Sequence, residues 1–161
     1  MSIIIVKYNA GNIQSVLIAL ERLGIAAVVT DDVEQIKTAS KVIFPGVGEA
    51  STAMNYLRER RLDEVIRDLK QPVLGICLGM QLLCSYSEEN STQCMGVIPV
   101  KIKRFPASHD YKVPQVGWNS IYDLHSDLFK SIPEQSFVYN VHSYFAEDSD
   151  YTIANCEYGI T

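Results

Sequence analysis

The chain has 161 residues, 47% of them hydrophobic, a mean hydropathy of +0.04 and a net charge of −5. These values suit one soluble domain with a real core, and they exclude the basic footprint that nucleic-acid phosphates require. The apolar run near the N-terminus, residues 3–6, is too short for a signal peptide or a membrane span.

The first half alternates between short apolar strands and amphipathic helices. Residues 3–7 read as a strand. Residues 12–23 read as a helix with Ile13, Val16, Leu17, Leu20 and Leu23 on one face, ended by Gly24. A strand at 26–30 and a short helix at 31–39 follow. Next come a strand at 41–44, a turn Pro45-Gly46-Val47-Gly48, and one or two helices over 50–69. Arg58, Arg60 and Arg61 alternate with acidic residues and read as a solvated helix face. A strand at 73–76 runs into a helix at 78–86. This alternation predicts a doubly wound, mostly parallel sheet with helices on both faces, of flavodoxin-like type.

The second half is richer in strand patterns, at 97–105, 116–122, 137–144 and 151–158, with a brief helix at 126–131 capped by Ser126. No repeat, low-complexity tract or linker divides the chain, so a single domain over 1–161 is expected. The sequence ends within or just after a strand pattern, with no helix behind it.

Gly75-Ile76-Cys77-Leu78-Gly79-Met80-Gln81 carries the chemistry. A cysteine framed by glycines two residues away, between an apolar strand and a helix, reads as a nucleophile elbow with sulfur as the nucleophile. The helix N-terminus there is expected to favour the thiolate. Cys77 would attack a carbonyl and form a thioester. The N–H of Leu78 is one expected oxyanion donor. Val47, between Gly46 and Gly48, is positioned to supply the second.

Gln81, one helical turn after Cys77, faces the same way and suits a polar substrate. Glu88 or Glu89 could meet a substrate ammonium. His109, His125 and His142 are the only histidines, and none stands out as the general base; His142, at a strand end, is the best of them. Cys77, Cys84, Cys94 and Cys156 form no CxxC pair and no metal-binding spacing. They read as free thiols of a reducing cytoplasm, with Cys84 and Cys156 as buried small hydrophobes.

The elbow is similar to that of class I glutamine amidotransferases. The stretches Tyr8-Asn9-Ala10-Gly11-Asn12-Ile13-Gln14-Ser15, Pro114-Gln115-Val116-Gly117-Trp118-Asn119 and Tyr139-Asn140-Val141-His142-Ser143-Tyr144 narrow the likeness. They resemble the glutaminase subunits that feed ammonia to a (βα)8-barrel cyclase in histidine biosynthesis. The resemblance implies glutamine as substrate, no cofactor, no metal, no nucleic acid and no membrane. It makes Cys77 the nucleophile and Val47 and Leu78 the oxyanion donors. It places Gly46, Gly48, Gln81, Glu89, Ser143 and Tyr144 around the glutamine, and Asn12, Ser15 and Trp118 toward the partner. By the same likeness His142 shapes the glutamine pocket and is not the base.

The family's catalytic His and Glu lie in a His-Pro-Glu motif that this sequence does not contain. A final strand and helix of the family pattern are expected to be missing, leaving a bare sheet edge and weak or absent turnover. Two other readings share the elbow: a different cysteine hydrolase of this fold, and a binding module that has lost turnover.

Overall fold

A computed structural model describes residues 2–159. The chain divides into two compact units, residues 1–102 and 103–161.

The first unit is built on a parallel sheet of β1 (Ile3–Val6), β2 (Val28–Thr30), β3 (Lys41–Gly46) and β4 (Val73–Cys77), in the order β2-β1-β3-β4. The connecting helices are α1 (Ile13–Arg22), α2 (Val33–Thr38), α3 (Ala50–Glu59), α4 (Leu62–Asp68) and α5 (Leu78–Leu83). Successive strand side chains point to opposite faces. Ile4, Val6, Val42 and Phe44 therefore share the face that joins Ile36, Met54, Leu57, Leu62 and Leu82 in the core. Each such fully buried side chain stabilises the fold by about 1.5–3 kcal/mol.

The opposite face carries Ile5 and Ile43 and is covered less deeply. Helix α1 has no fully buried residue, and edge strand β4 leaves Leu74 and Ile76 each 38% exposed.

Two element boundaries, at β3 and α5, differ from the sequence reading, and the choice between one and two helices after Gly48 is resolved. Strand β3 runs on through Pro45 and Gly46, because both stay in register with Ile76 and Cys77 of β4. The helical run after Gly48 is two helices, parted at Arg61, whose φ is 56°. Helix α5 stops at Leu83, and the chain then forms β5 (Tyr86–Ser87) and β6 (Thr92–Gln93), with a 3-10 turn at Glu89–Ser91 between them. The arginine cluster is solvated as expected. Arg61 pairs with Glu64 at 2.9 Å, and Arg60 lies over the Tyr56 ring.

Strand β7 (Lys101–Arg104) begins beside β5 in the first unit. In the second unit, β8 (Gln115–Ile121) and β9 (Ser136–His142) form an antiparallel ladder, and β10 (Tyr144–Ala146) follows. The brief helix is a 3-10 turn, Asp127–Phe129, with Ser126 Oγ accepting from the Leu128 N–H. The strand expected at 151–158 is not formed. That stretch is irregular apart from one bridge between Asn155 and Tyr122. Ile160 and Thr161 lie outside the described residues. No described helix is long and apolar enough to cross a membrane.

Glycine at 79 is a packing requirement, since a Cβ there would lie 1.8 Å from the Phe44 carbonyl oxygen. Gly79→Ala is expected to destabilise the protein by about 3 kcal/mol or more, read from urea unfolding.

Candidate functional site

Cys77 closes β4 and opens α5 with φ 53° and ψ −117°. A non-glycine residue held there costs about 1–3 kcal/mol, and such strain persists only when its surroundings enforce it. The enforcement is visible on both sides. A Cβ on Gly75 would lie 2.7 Å from the Met80 Cα, and Gly79 rides directly on β3. The elbow read from the glycine spacing is therefore present, with Cys77 exposed at its tip.

The Pro45–Gly48 segment adjoins it. Gly46 is the register partner of Cys77, and a Cβ on Gly46 would meet the Gly79 nitrogen at 2.6 Å. Of the two expected oxyanion donors, Leu78 follows the nucleophile directly, and its N–H favours the thiolate. The Val47 N–H instead donates to the Ala10 carbonyl at 2.6 Å. For Val47 to face a substrate, the Gly46–Val47 peptide has to rotate. The next residue, Gly48, already sits at φ +100°, in the region open to glycine.

The protonation state corrects the sequence reading. Burial pushes the Cys77 thiol up, the Leu78 N–H pulls it down, and the Glu89 carboxylate adds to the rise. The net shift runs against the thiolate expected from the helix N-terminus, and helix α5 is only six residues long. Cys84 is buried as expected, Cys94 is buried as well, and burial pushes both up to about 11. Cys156, expected to be buried, is only half-buried.

Gln81 is buried in α5, one turn beyond Cys77. Glu89 has structural work of its own. Its Oε2 accepts from the Ala50 N–H at 2.8 Å, at the start of α3. The α3 cap Glu49 accepts from the Ser51 and Thr52 N–H groups at 2.8 and 2.9 Å. Burial raises the Glu89 carboxyl, the Ala50 N–H lowers it, and the neighbouring Glu49 charge raises it further. Glu88 is exposed.

The remaining predicted residues have local roles. Asn12 caps α1, its Oδ1 accepting from the Ser15 N–H at 3.4 Å. In the second unit the Ser143 carbonyl accepts from Phe105 N–H at 3.0 Å, and Tyr144 opens β10. Trp118 is 70% exposed, edge-on to Tyr139 with centroids 5.5 Å apart. All three histidines also belong to the second unit. His142 Nδ1 lies 2.8 Å from the Tyr144 carbonyl. His125 meets Asp123 at 3.1 Å on the surface, and His109 is exposed. Among the described residues no cluster of His, Cys, Asp or Glu is arranged to hold a metal.

Sequence reasoning missed Tyr8, which the structure buries beside Gly46. Its even-numbered alternation with Ile4 and Val6 was the available signal.

A strained cysteine elbow beside a glycine-flanked turn, at the C-terminal ends of parallel strands, defines a cysteine-dependent amidotransferase site. The glutamine amidotransferase class-I family model matches residues 5–158, and the chain belongs to that family. The relatives it matches narrow this to one subunit type. Three curated relatives carry the name imidazole glycerol phosphate synthase subunit HisH. That of Bacteroides fragilis is 55% identical over 98% of this chain and 81% of its own length. Those of Bacteroides thetaiotaomicron and Idiomarina loihiensis are 53% and 45% identical, over 98% and 99% of this chain and 81% and 80% of their own lengths. A crystal structure of a glutamine amidotransferase superposes with a TM-score of 0.69 at 19% identity, over 94% of this chain and 78% of that one. That likeness confirms the fold.

The Glu89 charge opposes ionisation of Cys77. Glu89→Gln keeps an oxygen for the Ala50 N–H and removes the anion. It is therefore expected to move the pH midpoint of Cys77 alkylation downward, measured by iodoacetamide labelling and mass spectrometry of the Cys77 peptide.

Proposed function

We propose that this chain is the glutaminase subunit of an imidazole glycerol phosphate synthase, splitting glutamine into glutamate and ammonia through Cys77. The observation that carries the reading is the strained Cys77 elbow paired in register with the Gly46–Gly48 turn, in a chain 55% identical to a HisH subunit. Since the family match runs through both compact units, we read them as parts of one amidotransferase domain.

In this reading the Cys77 sulfur attacks the carboxamide carbon of glutamine. The carbonyl oxygen becomes an oxyanion, held by the Leu78 N–H and by the Val47 N–H once its peptide has rotated off Ala10. Collapse expels ammonia, which leaves with one added proton, and forms the γ-glutamyl thioester. Water then attacks the thioester, returning the thiol and releasing glutamate. Gly46, Gly48, Gln81 and Glu89 surround the substrate in this reading.

Ammonia passes to a cyclase subunit of the (βα)8-barrel type, the partner in a heterodimer, which carries out the ring closure. Asn12, Ser15 and Trp118 face that partner or the ammonia exit, and the exposure of Trp118 supports the assignment. The subunit works in the cytoplasm. Proton transfer is the incomplete part. The 161-residue sequence contains no His-Pro-Glu.

That gap, with the upward-shifted Cys77, favours a second reading: a glutamine-binding module without turnover. One experiment separates the alternatives. A glutamine-shaped diazoketone is expected to label Cys77, to be slowed by free glutamine, and to leave Cys77→Ala unlabelled. Labelling by unrelated esters alone would replace the proposal with another cysteine hydrolase. Glutamine binding without any labelling would leave the binding module. Glutamate release, with and without the cyclase subunit, then measures turnover.

A further inference from the structure

Tyr8 follows β1 and shares the core-facing alternation of Ile4 and Val6. It is 6% exposed, with its ring tilted against Phe44 at a centroid distance of 5.1 Å. Among the described residues its hydroxyl is the buried side-chain polar atom for which the structure offers no hydrogen-bond partner. Burying such a group unpaired costs about 1–3 kcal/mol, and a phenylalanine would fill the same space without that cost. Packing therefore does not account for the oxygen.

Its position does. A Cβ built on Gly46 would fall 2.5 Å from the Tyr8 Oη, and Gly46 pairs in register with Cys77. The hydroxyl thus lies beneath the junction of the oxyanion turn and the elbow. Burial pushes the phenol well above its ordinary value, and the negative charge of an ionised Cys77 adds to the rise. Tyr8 accordingly keeps its proton throughout the working pH range. It is an O–H group without an acceptor, close to Gly46, whose register partner is Cys77.

We propose that Tyr8 is a positioning residue of this site, its buried hydroxyl donating a hydrogen bond to the Cys77 sulfur when that sulfur is ionised. No covalent bond changes, and the proton stays on Tyr8. The donor adds to the Leu78 N–H and works against burial and the Glu89 carboxylate, whose own neighbour is Glu49. The proposal rests on Cys77 as the nucleophile of the glutaminase reading, but it is tested on the thiol and not on turnover.

Tyr8→Phe removes one oxygen from an apolar setting. Iodoacetamide alkylation of Cys77 near neutral pH is expected to slow by about two- to tenfold, the range of one hydrogen bond's net contribution. Its pH profile is expected to move upward while those of Cys84 and Cys94 stay in place. The thermal midpoint is expected to hold or rise, since an unpaired buried group is gone. A Cys77 profile that coincides with that of the unaltered chain overturns the proposal, whatever happens to glutamine. Loss of diazoketone labelling with the profile shift intact overturns the glutaminase reading alone.

A second measurement does not depend on the variant folding. In the unaltered chain carrying ring-13C tyrosine, the Tyr8 resonance is expected to titrate with the Cys77 alkylation midpoint and to lose that step in Cys77→Ala. A Tyr8 resonance without such a step overturns the assignment.

Discussion

The site depends on one backbone contact, the approach of α5 to the end of β3. Gly79 sits against the Phe44 carbonyl so closely that no side chain fits between them. This contact sets where α5 can begin and so how sharply the chain must turn after β4. The turn is taken at Cys77, whose positive φ is the local cost. The same contact brings Gly46 alongside Cys77, so the nucleophile and the oxyanion turn are held by one piece of packing. Phe44 is itself fully buried and braces Tyr8. Strain at the reacting sulfur is thus balanced by burial in the core directly behind it.

The features legible in the sequence were those written in local spacing. The Gly-x-Cys-x-Gly frame announces a tight turn because a side chain at either glycine would strike backbone. The parallel sheet followed from apolar strands alternating with helices, and β1 to β4 formed where those runs lay. The failures have long-range causes. Pro45-Gly46 reads as a turn by composition, yet pairing with β4 keeps both residues in the sheet. Residues 151–158 have strand-like composition, but in the second unit they find a partner only through Asn155.

The sign of the Cys77 shift was missed because it is set mainly by burial, which local spacing does not reveal, and then by Glu89, twelve positions on and beyond α5 and β5. Asn12 and Ser15, read as partner-facing, also form a helix cap. A cap of this kind fits the Gly-Asn-x-x-Ser spacing as well as a binding role does.

The β8–β9 ladder reverses the usual arrangement of an amphipathic sheet. Its register sets Val116 against Val141 and Trp118 against Tyr139, with Phe137 opposite Ser120 on the same face. These five apolar side chains are all more than half exposed. The other face carries Gln115, Asn119, Asn140 and His142, all buried or half-buried. Single exposed apolar residues are ordinary, but a contiguous set marks a surface that meets something other than water. Trp118 belongs to that set, which is the physical ground for placing it toward a partner and not in a core.

At rest the site is held off by two independent features. The Val47 N–H is occupied by Ala10, and burial and then Glu89 push the Cys77 thiol up. Each is weak enough to reverse. A single neutral hydrogen bond contributes about 0.5–1.5 kcal/mol net, and a bound substrate ammonium beside Glu89 would neutralise the charge that opposes the thiolate. In the proposed mechanism, substrate binding and peptide rotation act in the same direction, the first favouring the Cys77 thiolate and the second freeing the Val47 N–H. The acidic cap of α3 thus serves the helix and the chemistry together. Glu49 and Glu89 satisfy the first N–H groups of α3, and the Glu89 charge adds to the effect of burial in raising the Cys77 thiol.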